Sequence, residues 1–166
     1  PYEELYQKTI PVIAAGGIFT GADIYRTMKT GVQGVQMATR FVGTHECDAS
    51  LEFKNSYVNC KKEDIVIIQS PVGLPGRAIK NHFLEEVSLG KKVPYTCHWH
   101  CLRTCDVEHS LYCICMALTN AKKGILTKGF SFAGANAYLV DKIISVKELI
   151  ATLKAEYAQA AGSNAA

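Results

Sequence analysis

The stretch from Ile10 to Phe41 limits what this chain can fold into more than any other. Val12, Ile13, Ala14 and Ala15 make a short apolar run closed by Gly16-Gly17, the pattern of a strand buried on both faces that stops at a glycine turn. A helix is expected next. Thr20 with Asp23 three positions on is a capping-box variant, Ile24 and Met28 share one face at i,i+4, and Gly31 offers a left-handed exit. Val35 to Ala38 then reads as a second strand. Two strands joined by a helical crossover of this length run parallel, so the Gly16-Gly17 turn and the Ala38-Thr39 end emerge on one sheet edge. That edge is where α/β proteins bind ligands.

Glycines at a strand end let backbone N–H groups approach an anion closely, because no Cβ stands in the way. A phosphate is the natural guest. The Thr39 hydroxyl and the N–H groups around Ala38 are placed to hold its other side, and the Gln36 amide donates and accepts in one plane, as recognition of a heterocycle requires. A Gly-Gly pair alone is weak evidence and reads more readily as a tight turn. Its conjunction with the second strand end is what points to a site.

The strings IPVIAAGGI (Ile10 to Ile18), Gly21-Ala22-Asp23-Ile24 and GVQMATRF (Gly34 to Phe41) together resemble the last two strand-helix units of the FMN-dependent nitronate monooxygenases, formerly 2-nitropropane dioxygenases, and of their relatives the flavin-containing enoyl-ACP reductases. The resemblance implies an α/β fold: the C-terminal portion of a (β/α)8 TIM barrel, with the last two strand-helix units in residues 1–45 and post-barrel, closing helices of the same domain in residues 46–166. It implies FMN as cofactor, with Gly16, Gly17, Gln36, Met37, Ala38 and Thr39 at its phosphate end. Ala38 stands where the family usually has glycine, which costs little where only an N–H is used. The implied chemistry is oxidation of alkyl nitronates with dioxygen or, alternatively, reduction of an enoyl thioester by NAD(P)H. The family's histidine base lies on an upstream loop, so no catalytic residue is assigned here.

A closed barrel of this kind takes roughly 250 residues, and this chain of 166 begins at Pro1 and offers two barrel-like strands. The expected partners are therefore a small-molecule substrate, nitronate or enoyl thioester, and the missing N-terminal part of the same barrel. Alone, such a segment leaves sheet edges and an apolar face uncovered, which favours homo-oligomers.

A hydrophobic content of 48% marks a globular chain, and 20% charged residues with a net charge of +3 give no case for nucleic acid. No apolar run approaches the ~20 residues of a membrane span and no leader is visible, so a cytoplasmic protein without membrane partners is expected. Seven cysteines, an odd number, are expected to stay reduced. The densest soft-ligand stretch is Cys97-His98-Trp99-His100-Cys101 with Cys105, Cys113 and Cys115. On a helix, Cys97 and Cys105 would lie ~12 Å apart, too far to share an ion, and no C-x₂-C pair is present. No metal site is assigned, and buried thiols packing as small hydrophobes are expected. Other readings of residues 97–115 are a non-catalytic metal-binding or assembly module, a Trp99 and histidine cover over the flavin pocket, and redox-reactive thiols.

Elsewhere, residues 1–8 read as a helix end with Leu5 and Tyr6 as apolar contacts, and a helix after Ser50 is expected to bury Leu51, Tyr57 and Val58. Ile65 to Ile68 is a strand, Ser70 to Gly76 a turn, and Arg77 precedes a helix over Ala78 to Val87, pairing with it or reaching an acidic substrate or phosphate. Tyr112 to Ala121 has one apolar side and stops at Gly124. Gly134 to Ala137 is a turn that the resemblance places near the flavin. Ser145 and Glu148 cap the last helix, and residues 158–166 read as a frayed tail.

Overall fold

A short helix, α1 (Tyr2–Tyr6), leads into strand β1 (Ile13–Ala15) in a computed structural model of the chain, which describes residues 2–97 and 100–163. Helix α2 (Gly21–Met28) crosses over to β2 (Gly34–Gln36), and the two strands pair in parallel from Ile13 against Gly34 to Ala15 against Gln36. The crossover starts where the sequence places it. The Thr20 hydroxyl accepts the Asp23 N–H at 3.0 Å, and the Asp23 carboxylate takes the N–H groups of Thr20 and Phe19 at 2.8 and 3.1 Å. It ends at Gly31, whose φ is +93°. Ile24 and Met28 are half-buried.

Three expectations for this region need correction. Strand β1 is not buried on both faces: nothing in the described chain covers Val12 and Ile13, which stay 57% and 54% exposed. Likewise Leu5 and Tyr6 are 71% and 60% exposed, Tyr6 stacking only on the exposed ring of Tyr2 within α1. Strand β2 stops at Gln36, because Ala38 (φ −125°, ψ −57°) leaves the extended region to start the single turn α3 (Thr39–Val42).

Helix α4 (Leu51–Val58) is capped by Ser50 and turns Lys54 and Tyr57 inward, leaving Leu51 outside. Strand β3 (Ile65–Gln69) pairs antiparallel with β4 (Pro75–Ile79), Ile65 opposite Ile79. The expected turn is thus shorter and the expected helix starts later. Pro75 is tolerated as the first residue of a strand, and Gly76 lets the Phe132 ring lie against it. Helix α5 (His82–Ser88) begins only after Asn81, whose side chain accepts the Leu84 N–H at 3.0 Å. Arg77 lies exposed in β4 and forms no ion pair among the described residues. Lys80 takes that role with Glu85 at 3.1 Å.

Helix α6 (Ile114–Lys122) buries Ile114, Ala117 and Ala121, with Leu118 half-buried. The last helix, α7 (Val146–Gly162), opens on the Ser145–Glu148 capping box and buries Leu149 and Leu153. It also runs through residues 158–162, expected as frayed. Alanine, the strongest helix former, fills much of that stretch.

Most buried side chains fall into two clusters. Phe83, Tyr112 and Phe130 stack or meet edge to face beneath α5 and α6, with ring centres 5.2 to 6.1 Å apart. Phe19, Tyr57, Ile79 and Val140 form the second, which reaches up to the start of α2. Helix α7 closes over α2 at Gly21, where a Cβ would fall 2.1 Å from the Leu153 carbonyl oxygen. Tyr25 and Tyr157 meet edge to face beside it at 5.5 Å.

Candidate functional site

The parallel pairing brings the ends of β1 and β2 to one edge, and all six residues singled out from the sequence line one cleft of about 150 Å³ there. Gly16 and Gly17 turn the chain with φ of +89° and +73°, a region other L residues rarely adopt. No atom lies within 4 Å of where a Cβ would stand on either. Their backbone is open, and the N–H groups of Gly17, Ile18 and Ala38 donate to no group among the described residues. Gln36, Met37, Ala38 and Thr39 form the facing wall.

A third wall comes from far along the chain. The Thr39 hydroxyl accepts the Gly134 N–H at 2.8 Å, which leaves its own proton to be donated into the cleft. Asn136 donates from Nδ2 to the Gly17 carbonyl at 2.9 Å and so fixes the glycine turn from outside. The glycine turn at residues 134–137 is legible in the sequence, but its two hydrogen bonds to Thr39 and Gly17 are not. They join residues 95 and 119 positions apart.

No charged side chain lines the cleft. Arg40, next to Thr39, is turned away: its guanidinium donates to the Phe19 carbonyl at 2.7 Å, lies over the Phe19 ring and faces Glu156 at 3.5 Å. Glu156 in turn accepts the Gly21 N–H at 2.6 Å, tying α7 to the start of α2. Burial acts to raise the Asp23 carboxyl, but the Thr20 N–H and hydroxyl, the Phe19 N–H and Arg26 outweigh it and hold it below its ordinary value. In the second cluster, burial raises the phenol of Tyr57, and in the first it pushes that of Tyr112 up to about 12.

The cysteine-rich segment departs from its expected form. Residues 93–97 and 100–105 are irregular rather than helical, so the one-face spacing of Cys97, Cys101 and Cys105 does not arise. The thiols are not packed as buried hydrophobes either: Cys101 and Cys115 are exposed, and Cys97, Cys105 and Cys113 half-buried. Among the described residues no three His, Cys, Asp or Glu side chains group as a metal site. Trp99 and His98, expected to cover the flavin pocket, lie outside the described residues.

A strand-helix-strand unit with open glycine amides at the shared strand edge defines an α/β protein whose cleft lies where α/β folds commonly place ligands. A family model described as nitronate monooxygenase matches residues 4–156, and the chain belongs to that family of oxidoreductases. A probable nitronate monooxygenase of Staphylococcus aureus strain Newman is 40% identical over 80 residues, 48% of this chain and 22% of that protein. FabK from Thermotoga maritima superposes with a TM-score of 0.74 at 27% identity, over 95% of this chain and 47% of that one. A nitroalkane oxidase from Streptomyces ansochromogenes shares the fold, with a TM-score of 0.70 at 23% identity over 96% of this chain and 42% of that one. The matches thus span about a fifth of the curated relative and under half of each solved structure. Among the described residues no helix is long and apolar enough to cross a membrane.

Proposed function

We propose that this chain supplies the phosphate half of the FMN site of a nitronate monooxygenase-type oxidoreductase, a cytoplasmic enzyme whose whole protein oxidises alkyl nitronates with dioxygen. In this reading residues 1–45 are the last two strand-helix units of a (β/α)8 barrel and residues 46–166 its closing segment. The observation that carries it is the open Gly16-Gly17 backbone opposite Ala38-Thr39.

The residues present fit a phosphate dianion. Free N–H groups at Gly17, Ile18 and Ala38 and the hydroxyl proton of Thr39 are donors around one space, and no carboxylate lines it to repel an anion. Binding through backbone donors rather than a lysine fixes position as well as charge. Gln36 contributes an amide to the heterocycle, and Asn136 keeps the glycine turn in place through the Gly17 carbonyl. Bound flavin supplies acceptance of electrons from the nitronate carbon and their return to dioxygen. The chain's residues bind and orient, and no proton-abstracting base is assigned among them.

The uncovered side chains of Val12 and Ile13 support a barrel completed by further strands, and in their absence the same face favours homo-oligomers. Reduction of an enoyl thioester by NAD(P)H is the second reading, because the same phosphate cleft serves both reactions. The alternative of another class is a non-catalytic metal-binding or assembly module on residues 97–115, and metal analysis beside flavin content separates it from the flavoenzyme.

The test is flavin retention in the full-length parent. Gly17→Val places a β-branched residue at φ +73°, and retained FMN per chain is expected to fall at least about tenfold, the effect of roughly 1.4 kcal/mol in binding. Flavin content equal to wild type, measured by absorbance after denaturation, overturns the assignment. Nitronate-dependent oxygen uptake against NADH consumption with an enoyl thioester separates the two reactions.

A further inference from the structure

The thiols of Cys101 and Cys115 stand 3.4 Å apart, both open to solvent, on two parts of the chain that no other hydrogen bond among the described residues joins directly. Cys115 sits in the first turn of α6, a helix whose inner side is fixed in the core by Ile114 and Ala117. Cys101 lies in the irregular run between α5 and α6. That run is tied down on either side of Cys101, by Val93 N–H on the Leu111 carbonyl at 2.7 Å, the Tyr95 hydroxyl on the Val107 carbonyl at 3.3 Å and the Thr104 hydroxyl on the Val72 carbonyl at 3.2 Å. Between these anchors the backbone of Cys101 forms no hydrogen bond within the described chain, and its neighbour His100 occupies φ +40°, an unfavourable region for a non-glycine residue.

We propose that Cys101 and Cys115 are a redox modification site, forming one reversible intramolecular disulfide when the chain meets a peroxide. A disulfide bond is ~2.05 Å long, so the two sulfurs close by little more than 1 Å. The mobile partner is Cys101, because α6 is held by its buried face. The other five thiols are placed differently. Cys60 is buried with its sulfur on the Tyr57 carbonyl, and Cys47, Cys97, Cys105 and Cys113 are half-buried.

The order of steps follows from which sulfur keeps its proton. The hydrogen bond to Cys101, and after it burial and the neighbouring thiols, raise the Cys115 thiol above its ordinary value. The raised thiol of Cys115 holds its proton longer, so the first attack falls to Cys101. Cys101, as thiolate, attacks one peroxide oxygen; the O–O bond breaks and the leaving hydroxide takes up a proton to become water. The sulfur of Cys115 then attacks the oxidised sulfur of Cys101, the S–O bond breaks, and the departing hydroxide carries off the Cys115 proton as a second water. Two thiols and one hydrogen peroxide give one disulfide and two waters, with two electrons passing from sulfur to oxygen. The product staples the run between α5 and α6 to the first turn of α6, closing a loop across 14 positions.

The test uses the full chain with a small molar excess of hydrogen peroxide. Free thiols titrated under denaturing conditions are expected to fall from seven to five and to return to seven with dithiothreitol, with a Cys101–Cys115 linked peptide as the main product by mass spectrometry. In Cys115→Ser, Cys101 is expected to be trapped by dimedone as sulfenic acid instead, with no internal bridge. Both side chains are exposed, so these serine variants leave the core untouched. Seven persisting thiols, a bridge between another pair as the main product, a disulfide-linked dimer as the main product, or loss of two thiols in Cys115→Ser each overturns the proposal.

Discussion

Residues 2–45 and residues 46–163 are held together in different ways. The first region carries the cleft's glycines and Thr39, yet among its large apolar side chains only Phe19 is buried, while Val12 and Ile13 face outward from a two-stranded sheet. The second carries most of both clusters, including fully buried Phe130, and also the fully buried Leu149 of α7. The chemistry of the site therefore sits on the part least able to stabilise itself. It is kept in place by hydrogen bonds from the other part: Gly134 to Thr39, Asn136 to Gly17 and Gly21 to Glu156.

The sharpest test of this contrast is a pair of truncations. Phe130→Ala removes a ring packed against Phe83, Tyr112 and Phe132, and denaturant titration of the chain is expected to show a loss of about 3–5 kcal/mol. Ile13→Ala is expected to change the same chain by no more than about 0.5 kcal/mol. In the longer barrel chain of the proposed function, whose further strands would cover β1, Ile13→Ala is expected to cost about 2–5 kcal/mol. Equal, small effects in chain and parent would mean that β1 stays uncovered.

The dependence of the first region on α7 is broken next. Gly21→Ala puts a methyl 2.1 Å from the Leu153 carbonyl, so α7 must shift, at about 1–3 kcal/mol. Amide exchange around Gly17 and Thr39 is expected to rise with it, and unchanged exchange there would separate the cleft from α7. A milder version is Glu156→Gln, which keeps an acceptor for Gly21 but removes the anion facing Arg40. It is expected to cost about 1 kcal/mol by thermal melting, and the comparison with Gly21→Ala apportions charge against packing.

The smallest effect is in pH. The Asp23 carboxyl is held below its ordinary 3.8 in the folded chain, so its contribution to stability is fully present above that value and disappears as pH falls through the lower folded value. The stability gap between wild type and Asp23→Asn, followed by urea midpoints, is expected to be constant from pH 7 to about 5 and to narrow below pH 4. A gap that stays the same down to pH 2 would show that the capping charge contributes nothing.

What was legible in the sequence was local. The Thr20–Asp23 and Ser145–Glu148 caps and the parallel pairing around α2 follow from residues near in sequence, while the full set of six cleft residues comes from the family resemblance of the strand ends. The apolar pattern of Val12 to Ala15 correctly marks a strand, but apolar sequence does not say which chain atoms are present to cover it. Pro75-Gly76-Arg77 looks like a turn by composition; it becomes a strand because Ile65 to Gln69 lies beside it and Phe132 fills the space a Gly76 side chain would need. The thiols of Cys101 and Cys115 meet because an irregular loop folds back onto α6, which no helical spacing foretells. Gly21, Gly134, Asn136 and Glu156 draw their roles from residues 95 to 135 positions away, beyond the reach of periodicity.

The contact between Gly21 and Glu156 also sets an order of events at the ribosome. These residues are 135 positions apart, and at translation rates of 5–20 residues per second α2 waits on the order of ten seconds for the helix that covers it. During that interval the nascent cleft has its glycine turn but neither the Asn136 anchor nor the α7 lid, and the half-buried face of α2 is available to a chaperone. Early and late synthesis thus meet in one contact, and a pause between the codons for Gly21 and Glu156 prolongs the time the cleft spends unfinished.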